Sequence, residues 1–419
     1  MKHNTLFFAG IDWGRKNHQV CLIDQNGSVL AQKSFAHLAE GFYEMAEWML
    51  EVSGSTTNHI GVSIENNRGA VVETLMGLGF RVYSINPKQL DRFRDRFSPS
   101  GAKDDRRDAR VLAEALRTDG RYFREVTAPY PDIADLRRLT REREELMGER
   151  VALINRIRGD LWEYYPQFEQ VIGNGSLKLW HIELWELAPT PGDAKKTRPS
   201  TVQKLLKRNR VRRIDGKEAI KILRSKEIEL AEGTVPGIVR RVRRRVERLK
   251  LVDRQLKEIE IFIDDRIKAL DSRLRSESEK EGRPSDIEIL RSIPGVGRIV
   301  LAVFVSEASD ILSRRDYRAL RCFAGVAPVT KQSGKSRQVV RRHASCRRLM
   351  TAVSQMAKVA VMHDSVSKAG YESLRARGLG YHRTLRTVGD RLLHVGCALL
   401  KKGEVFDKEY GKVRGKAAA

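Results

Sequence analysis

Four carboxylates stand where they could handle a phosphodiester. Asp12 closes an apolar run from Leu6 to Ile11, within Gly10-Ile11-Asp12-Trp13-Gly14. Glu65 closes a second apolar run, His59 to Ile64. Asp105 and Asp108 lie three residues apart near a helix start, in Lys103-Asp104-Asp105-Arg106-Arg107-Asp108-Ala109. That spacing sets both side chains on neighbouring positions of one helix face. Leu112 falls near the same face and would anchor it to a sheet. Asp104 is four residues from Asp108 and competes with Asp105 for the same role. Acids gathered in this way repel one another unless a cation joins them. Mg2+ does so, and two such ions about 4 Å apart can activate an attacking oxygen and stabilise a leaving one. Single acids often end strands or begin helices for local reasons. The ordered set of four is what points to metal-assisted phosphodiester chemistry.

A second constellation lies far downstream. Ser333 and Gly334 form a small turn among Lys331, Lys335, Arg337, Arg341 and Arg342. A serine hydroxyl there could attack a phosphodiester while the cations stabilise the developing charge. Composition alone fits the plainer reading better, a loop that contacts phosphate. Gly334-Lys335-Ser336 lacks the first glycine of a nucleotide-binding loop, because Val329 stands at that position. Nucleotide binding is therefore rejected. Upstream, Ile293-Pro294-Gly295-Val296-Gly297 looks like the turn of a helix-hairpin-helix. Gly295 and Gly297 would let backbone N–H groups approach a DNA phosphate.

The elements that must position these residues follow from periodicity. Two strands and a turn at Asp24-Gln25-Asn26-Gly27 precede a third strand, then a helix over about 38–52. The strand ending at Glu65 follows, then a helix from Gly69 to Leu78, a strand from Phe80 to Ile85 and a Ser98-Pro99-Ser100-Gly101 link. A helix over about 103–118 completes a mixed α/β order. Acids on the first and fourth strands plus a later helical pair are what an RNase H-like sheet needs. Beyond it, Leu139, Leu146 and Leu153 repeat every seven residues in a charged helix over about 131–165. A second long helix, about 237–270, places Val242, Val246, Leu249, Val252, Leu256 and Ile259 at steps of three or four. Two such helices predict an antiparallel coiled coil, within the chain or between subunits. The predicted domains are an acidic α/β domain over 1–125, the coiled coil over 126–275 with a section inserted at about 166–232, a mostly helical domain over 276–410, and a disordered basic tail over 411–419.

Charge narrows the partner. Lys plus Arg number 79 against 54 Asp plus Glu, a formal net charge of +25 over 419 residues. Such an excess favours a polyanion through counterion release. Cys21, Cys322, Cys346 and Cys397 lie far apart, so a disulfide framework is not expected and a reducing compartment is. No apolar run approaches the roughly 20 residues of a membrane span. A cytoplasmic or nucleoid-associated protein is expected.

Taken in order, these motifs resemble the IS-one-ten family of bacterial insertion-sequence transposases, the bridge-RNA-guided recombinases. The resemblance runs through Gly-Ile-Asp12, Glu65, Lys103-x-Asp105-x-x-Asp108-Ala109, Pro294-Gly-Val-Gly297, Gly325-x-x-Pro328 and Gln332-Ser333-Gly334. It continues through Tyr371-Glu372-x-Leu374 and Asp390-Arg391-Leu392-Leu393. It implies that Asp12, Glu65, Asp105 and Asp108 are the acidic quartet of a RuvC-like domain that binds Mg2+. It implies that Ser333 forms a covalent phosphoserine with DNA. It further implies dimers and tetramers, active sites shared between subunits, and a structured non-coding RNA that pairs with donor and target DNA. Two alternatives remain at this point: a metal-dependent nuclease of the Holliday-junction type, with water as nucleophile, and a non-catalytic nucleic-acid-binding protein.

Overall fold

The computed structural model describes residues 5–65, 68–97, 104–127, 130–278, 282–334 and 336–407. Lys103, Lys335, the 98–101 link and the 411–419 tail lie outside the described residues. The chain divides into two compact units, Met1–Tyr130 and Pro131–Ala419.

The first unit is a mixed α/β fold. Its elements are β1 (Phe7–Asp12), β2 (Asn17–Asp24), β3 (Val29–Ala36), α1 (Ala39–Ser53), β4 (Ile60–Ile64), α2 (Ala70–Gly77), β5 (Arg81–Ser84), α3 (Pro87–Phe97), α4 (Asp105–Asp119) and β6 (Arg124–Glu125). They form one sheet in the order β3-β2-β1-β4-β5-β6. β1 pairs antiparallel with β2 and parallel with β4, and β4 pairs parallel with β5. The central strands β1 and β4 are buried along nearly their whole length because both sheet faces are covered. On one face Val20, Leu22 and Val62 pack with Phe42, Met45 and Met49 of α1. On the other, Phe8, Cys21 and Ile23 pack with Ala109, Ala113 and Leu116 of α4. Each large apolar side chain so buried contributes about 1.5–3 kcal/mol.

Gly10 sets how closely α4 lies on the sheet. A Cβ at Gly10 would stand 2.0 Å from the Ala109 carbonyl oxygen and 2.4 Å from the Ala113 nitrogen. The absent side chain lets the helix backbone rest directly on β1. Leu112 is fully buried beside it, as its helical position predicts.

Among the described residues the second unit is helical apart from one small hairpin. It contains α5 (Pro131–Tyr164), α6 (Gln167–Ile172), α7 (Leu179–Leu187), α8 (Pro191–Lys196), α9 (Pro199–Arg208), α10 (Gly216–Leu223), α11 (Thr234–Ser278), α12 (Asp286–Ser292), α13 (Arg298–Ser313), α14 (Tyr317–Phe323), β7 (Val329–Ser333), β8 (Ser336–Val340), α15 (Arg347–His363), α16 (Ser365–Ala376) and α17 (Tyr381–Lys402). α5 and α11 run antiparallel within one chain, along a seam that includes Leu153, Ile157, Val246 and Leu249. Ion pairs flank the seam: Arg273 to Asp132 at 2.7 Å, Arg143 to Glu260 at 2.8 Å, Arg150 to Asp253 at 2.6 Å, and Arg245 to Asp160.

The section at about 166–232 consists of five short helices whose apolar side chains, among them Phe168, Trp185, Leu206 and Ile220, join the same core as the α5–α11 seam. Tyr164 ties it to the end of α5. Its hydroxyl donates to the Pro189 carbonyl at 2.7 Å and accepts from Trp185 Nε1 at 2.8 Å. A separate core joins α12, α13, α15 and α17. The four cysteines are free, and among the described residues no helix is long and apolar enough to cross a membrane.

Candidate active site

Strand register brings the first two acids together. The parallel ladder of β1 and β4 ends on Ile11 opposite Ile64, so Asp12 and Glu65 emerge side by side from neighbouring strand ends. The close contact at Gly10 then fixes where α4 begins. Asp105 and Asp108 lie in its first turn, and Asp108 directly precedes Ala109, whose carbonyl oxygen faces Gly10 of β1. Asp104 serves as the N-cap, and its carboxylate accepts from the Arg106 backbone N–H at 3.4 Å. Capping gives Asp104 a local task, while Asp105 is exposed and Asp108 is buried.

The electrostatics register this convergence. Burial first, and then the charges of Asp108, Asp105 and Glu65, push the Asp12 carboxyl up to about 6, against the opposing pull of Arg94. Arg94 on α3 is the residue that the sequence pattern left unread. Its Nε donates to Asp108 Oδ1 at 2.6 Å and its Nη2 to Asp108 Oδ2 at 2.8 Å, while Nη1 reaches Asp91 at 2.6 Å. The guanidinium is thus the counter-charge of the acidic edge. Among the described residues, no three His, Cys, Asp or Glu side chains are gathered into a group that could hold a metal ion. The donors themselves, all carboxylate oxygens around a crowded Asp12, have the chemistry of a hard divalent cation site.

Ser333 lies at the tip of the β7–β8 hairpin. The ladder runs from Val329 opposite Val340 to Ser333 opposite Ser336. Gly334 takes a left-handed φ of 54°, which suits a tight hairpin turn. Ser333 is exposed, and no side-chain partner holds its hydroxyl among the described residues. Strand alternation sorts the nearby cations. Lys331 shares the face of Ser333, whereas Arg337, paired with Gln332, points from the opposite face. Arg341 follows β8, and its Nη2 contacts Met350 Sδ at 2.8 Å. Arg342 Nε is buried and has no hydrogen-bond partner.

The two glycines of the α12–α13 turn differ. A Cβ on Gly295, whose φ is 81°, would stand 2.1 Å from the Met356 carbonyl oxygen, so close packing on α15 accounts for this glycine. Gly297 is exposed at the N-cap of α13 with open space around it. Its backbone N–H, the group expected to approach a phosphate, donates to the Gly295 carbonyl oxygen at 3.1 Å.

Residues 287–372, which include the serine hairpin, match the model of the Transposase IS116/IS110/IS902 family, and residues 9–166 match a second model described as a transposase. The IS117 mini-circle protein of Streptomyces coelicolor is 30% identical over 413 residues, covering 96% of this chain and 95% of that protein. This chain belongs to the IS110 family of insertion-sequence transposases.

Other relatives of this IS110-family transposase agree. The IS116 insertion-element protein of Streptomyces clavuligerus is 27% identical over 417 residues, 97% of each chain. The y4uE protein of Sinorhizobium fredii is 46% identical over 209 residues, 50% of this chain and 58% of that protein. The two matched segments of the transposase hold the acidic edge and the serine hairpin. Residues 167–286, with the five short helices, fall between them.

Proposed function

We propose that this transposase cuts and rejoins DNA by transesterification at Ser333, assisted by Mg2+ held on Asp12, Glu65, Asp105 and Asp108. The observation that carries the reading is the convergence on Asp12, where three further carboxylates raise the carboxyl's affinity for a positive partner. The strand order supports an RNase H-like, RuvC-like fold for the acidic domain over 1–125. The antiparallel α5–α11 pair supports a coiled coil over 126–275, which leaves 276–410 as the serine-bearing domain.

In the proposed step Ser333 Oγ loses its proton and bonds to phosphorus as one P–O ester bond of the strand breaks. The displaced strand end leaves as an alcohol. A second strand-end hydroxyl then attacks the phosphoserine and frees the serine. One ester bond forms for each that breaks, so no ATP is consumed. Lys331, on the face of Ser333, stabilises the charge that develops on the attacked phosphate. Arg337, on the other face, contacts a neighbouring phosphate. Mg2+ would supply charge neutralisation and activation of oxygen at that phosphate.

Following the family resemblance, a structured non-coding RNA pairs with donor and target DNA, and the protein reads backbone and shape. The net charge of +25 suits both nucleic acids. Dimers or tetramers acting at the bacterial nucleoid complete the proposal.

The test is a denaturant-resistant protein–DNA adduct. With Mg2+, RNA and DNA present, the wild-type chain should yield one and Ser333→Ala none. The Ser333→Ala fold should stay within about 0.5 kcal/mol of wild type, as for other exposed surface positions. Full recombination by Ser333→Ala would overturn the scheme. Metal-dependent cleavage without an adduct would favour a Holliday-junction-type nuclease.

A further inference from the structure

We propose that Arg341, Arg383 and Arg386 form a clamp for a DNA backbone phosphate at the base of the serine hairpin. The inference rests on reading that hairpin as the DNA-joining element. Arg383 and Arg386 are three residues apart on α17 and so share one helix face. Arg386 is half-buried. One turn beyond it, Gly389 faces Val353 of α15, and Val353 lies one turn beyond Met350, which Arg341 touches. The three guanidiniums therefore gather where α17 meets α15 beside the end of β8.

Their surroundings lack the usual compensation. Among the described residues none of the three has a carboxylate partner. Arg321, also held against α17, shows the contrast: its Nε donates to Asp390 Oδ1 at 3.1 Å and its Nη2 donates to Asp390 Oδ2. Arg386 instead meets burial and two like charges. Desolvation, then Arg341, then Arg383, lower its pKa below the usual guanidinium value. A half-buried cation held beside two others destabilises the free protein. Such strain persists at positions where a ligand relieves it. A ligand that relieved this repulsion would be anionic and would accept several N–H donors at once, as a phosphodiester does through bidentate contacts.

Position selects DNA as the source. Arg341 directly follows Val340, which pairs with Val329 at the hairpin base. Four residue steps of roughly 3.4 Å separate that base from the tip carrying Ser333. A strand lying along the hairpin would present one phosphate to Ser333 and another, a few nucleotides away, to the clamp. The clamp would then hold the strand end in place while it is exchanged.

Binding of a linear DNA duplex by the full-length Ser333→Ala protein, titrated with salt, tests the clamp without requiring covalent chemistry. Arg386→Met should make the slope of log affinity against log salt shallower by about 1, the loss expected for one phosphate contact. Its Tm should hold or rise, because a repulsion is removed. Arg383→Met, on an exposed side chain, should shift the slope the same way. Arg314→Met, whose guanidinium is paired with Asp310 at 2.9 Å, serves as the charge control and should leave the slope unchanged. A lower Tm with an unchanged slope would mean that Arg386 is structural and would overturn the clamp. So would a slope change confined to a structured RNA probe, or a slope unchanged in Arg383→Met if Arg386→Met does not fold. If the slopes shift as expected but the wild-type protein never forms an adduct, the clamp stands and the serine mechanism falls.

Discussion

The acidic edge and the serine hairpin solve opposite problems. The acids are positioned by close packing: an unbroken apolar strand, a glycine that admits a helix backbone, and a guanidinium that restrains the charge. The hairpin is held by its own two-stranded ladder, and most of its described side chains face solvent. A group that needs a partly buried, cation-ready environment must be built into a core. A hydroxyl proposed to attack a large polyanion must stand clear of one. Substitutions should therefore disturb stability at the first site and chemistry alone at the second.

The largest effect that would sharpen this contrast is at Gly10. Gly10→Val drives a side chain into the Ala109 carbonyl oxygen, 2.0 Å from the Cβ position. Overpacking against backbone should cost about 3 kcal/mol or more. Urea unfolding of the first unit would measure it. A variant as stable as wild type would mean that α4 is not clamped to β1 as described.

Arg94→Met should come next. It leaves Asp108, which is only 6% exposed, without its bidentate partner. Breaking such a pair should cost about 2–3 kcal/mol, somewhat less than for a fully buried one. If Mg2+ can take over the role of the guanidinium, millimolar Mg2+ should restore much of the loss. The same addition should do less for Arg94→Met combined with Asp108→Asn. Equal responses of the two variants to Mg2+ would remove Asp108 from the proposed ligand set.

What the residues disclosed in advance follows the same division. Asp12 and Glu65 were legible because each ends an apolar strand, and Leu112 because the helical period places it. The leucines at 139, 146 and 153 announced a long packed helix, and the structure supplies its antiparallel partner from the same chain. Arg94 was not legible. Its helix carries six charged residues among eleven, which masks the apolar pair Leu90 and Phe93, and its partner Asp108 lies 14 residues away. The hairpin read as a turn because strands exposed on both faces show no apolar alternation. The helices within 166–232 run six to ten residues, too short for a period to emerge. Gly295 carried an ambiguity that composition cannot resolve. A glycine that admits a phosphate and one that admits a neighbouring helix look alike until the neighbour is known.

The smallest of the expected effects concerns pH, and it separates the two regions without touching either set of proposed reactive groups. His18 is fully buried in the acidic unit and its Nε2 lies 2.8 Å from His37 Nδ1. Burial, then the neighbouring His37, lower its pKa to about 4 from 6.5. Between those values the unfolded chain binds a proton that the folded chain refuses, so stability falls as pH drops through 6.5 toward 4. At pH 5.5 the loss should be about 1 kcal/mol, since the slope approaches 1.4 kcal/mol per pH unit. The serine hairpin contains no histidine and should add nothing in that window. The decisive quantity is the shift in urea midpoint of the first unit between pH 7.5 and 5.5, compared between wild type and His18→Gln. Other titrating groups act equally on both proteins and cancel in that difference. A smaller shift in the variant is expected. Identical shifts would mean that His18 accepts a proton in the folded state and that the packing around β2 is looser than the core of an acid-bearing sheet requires.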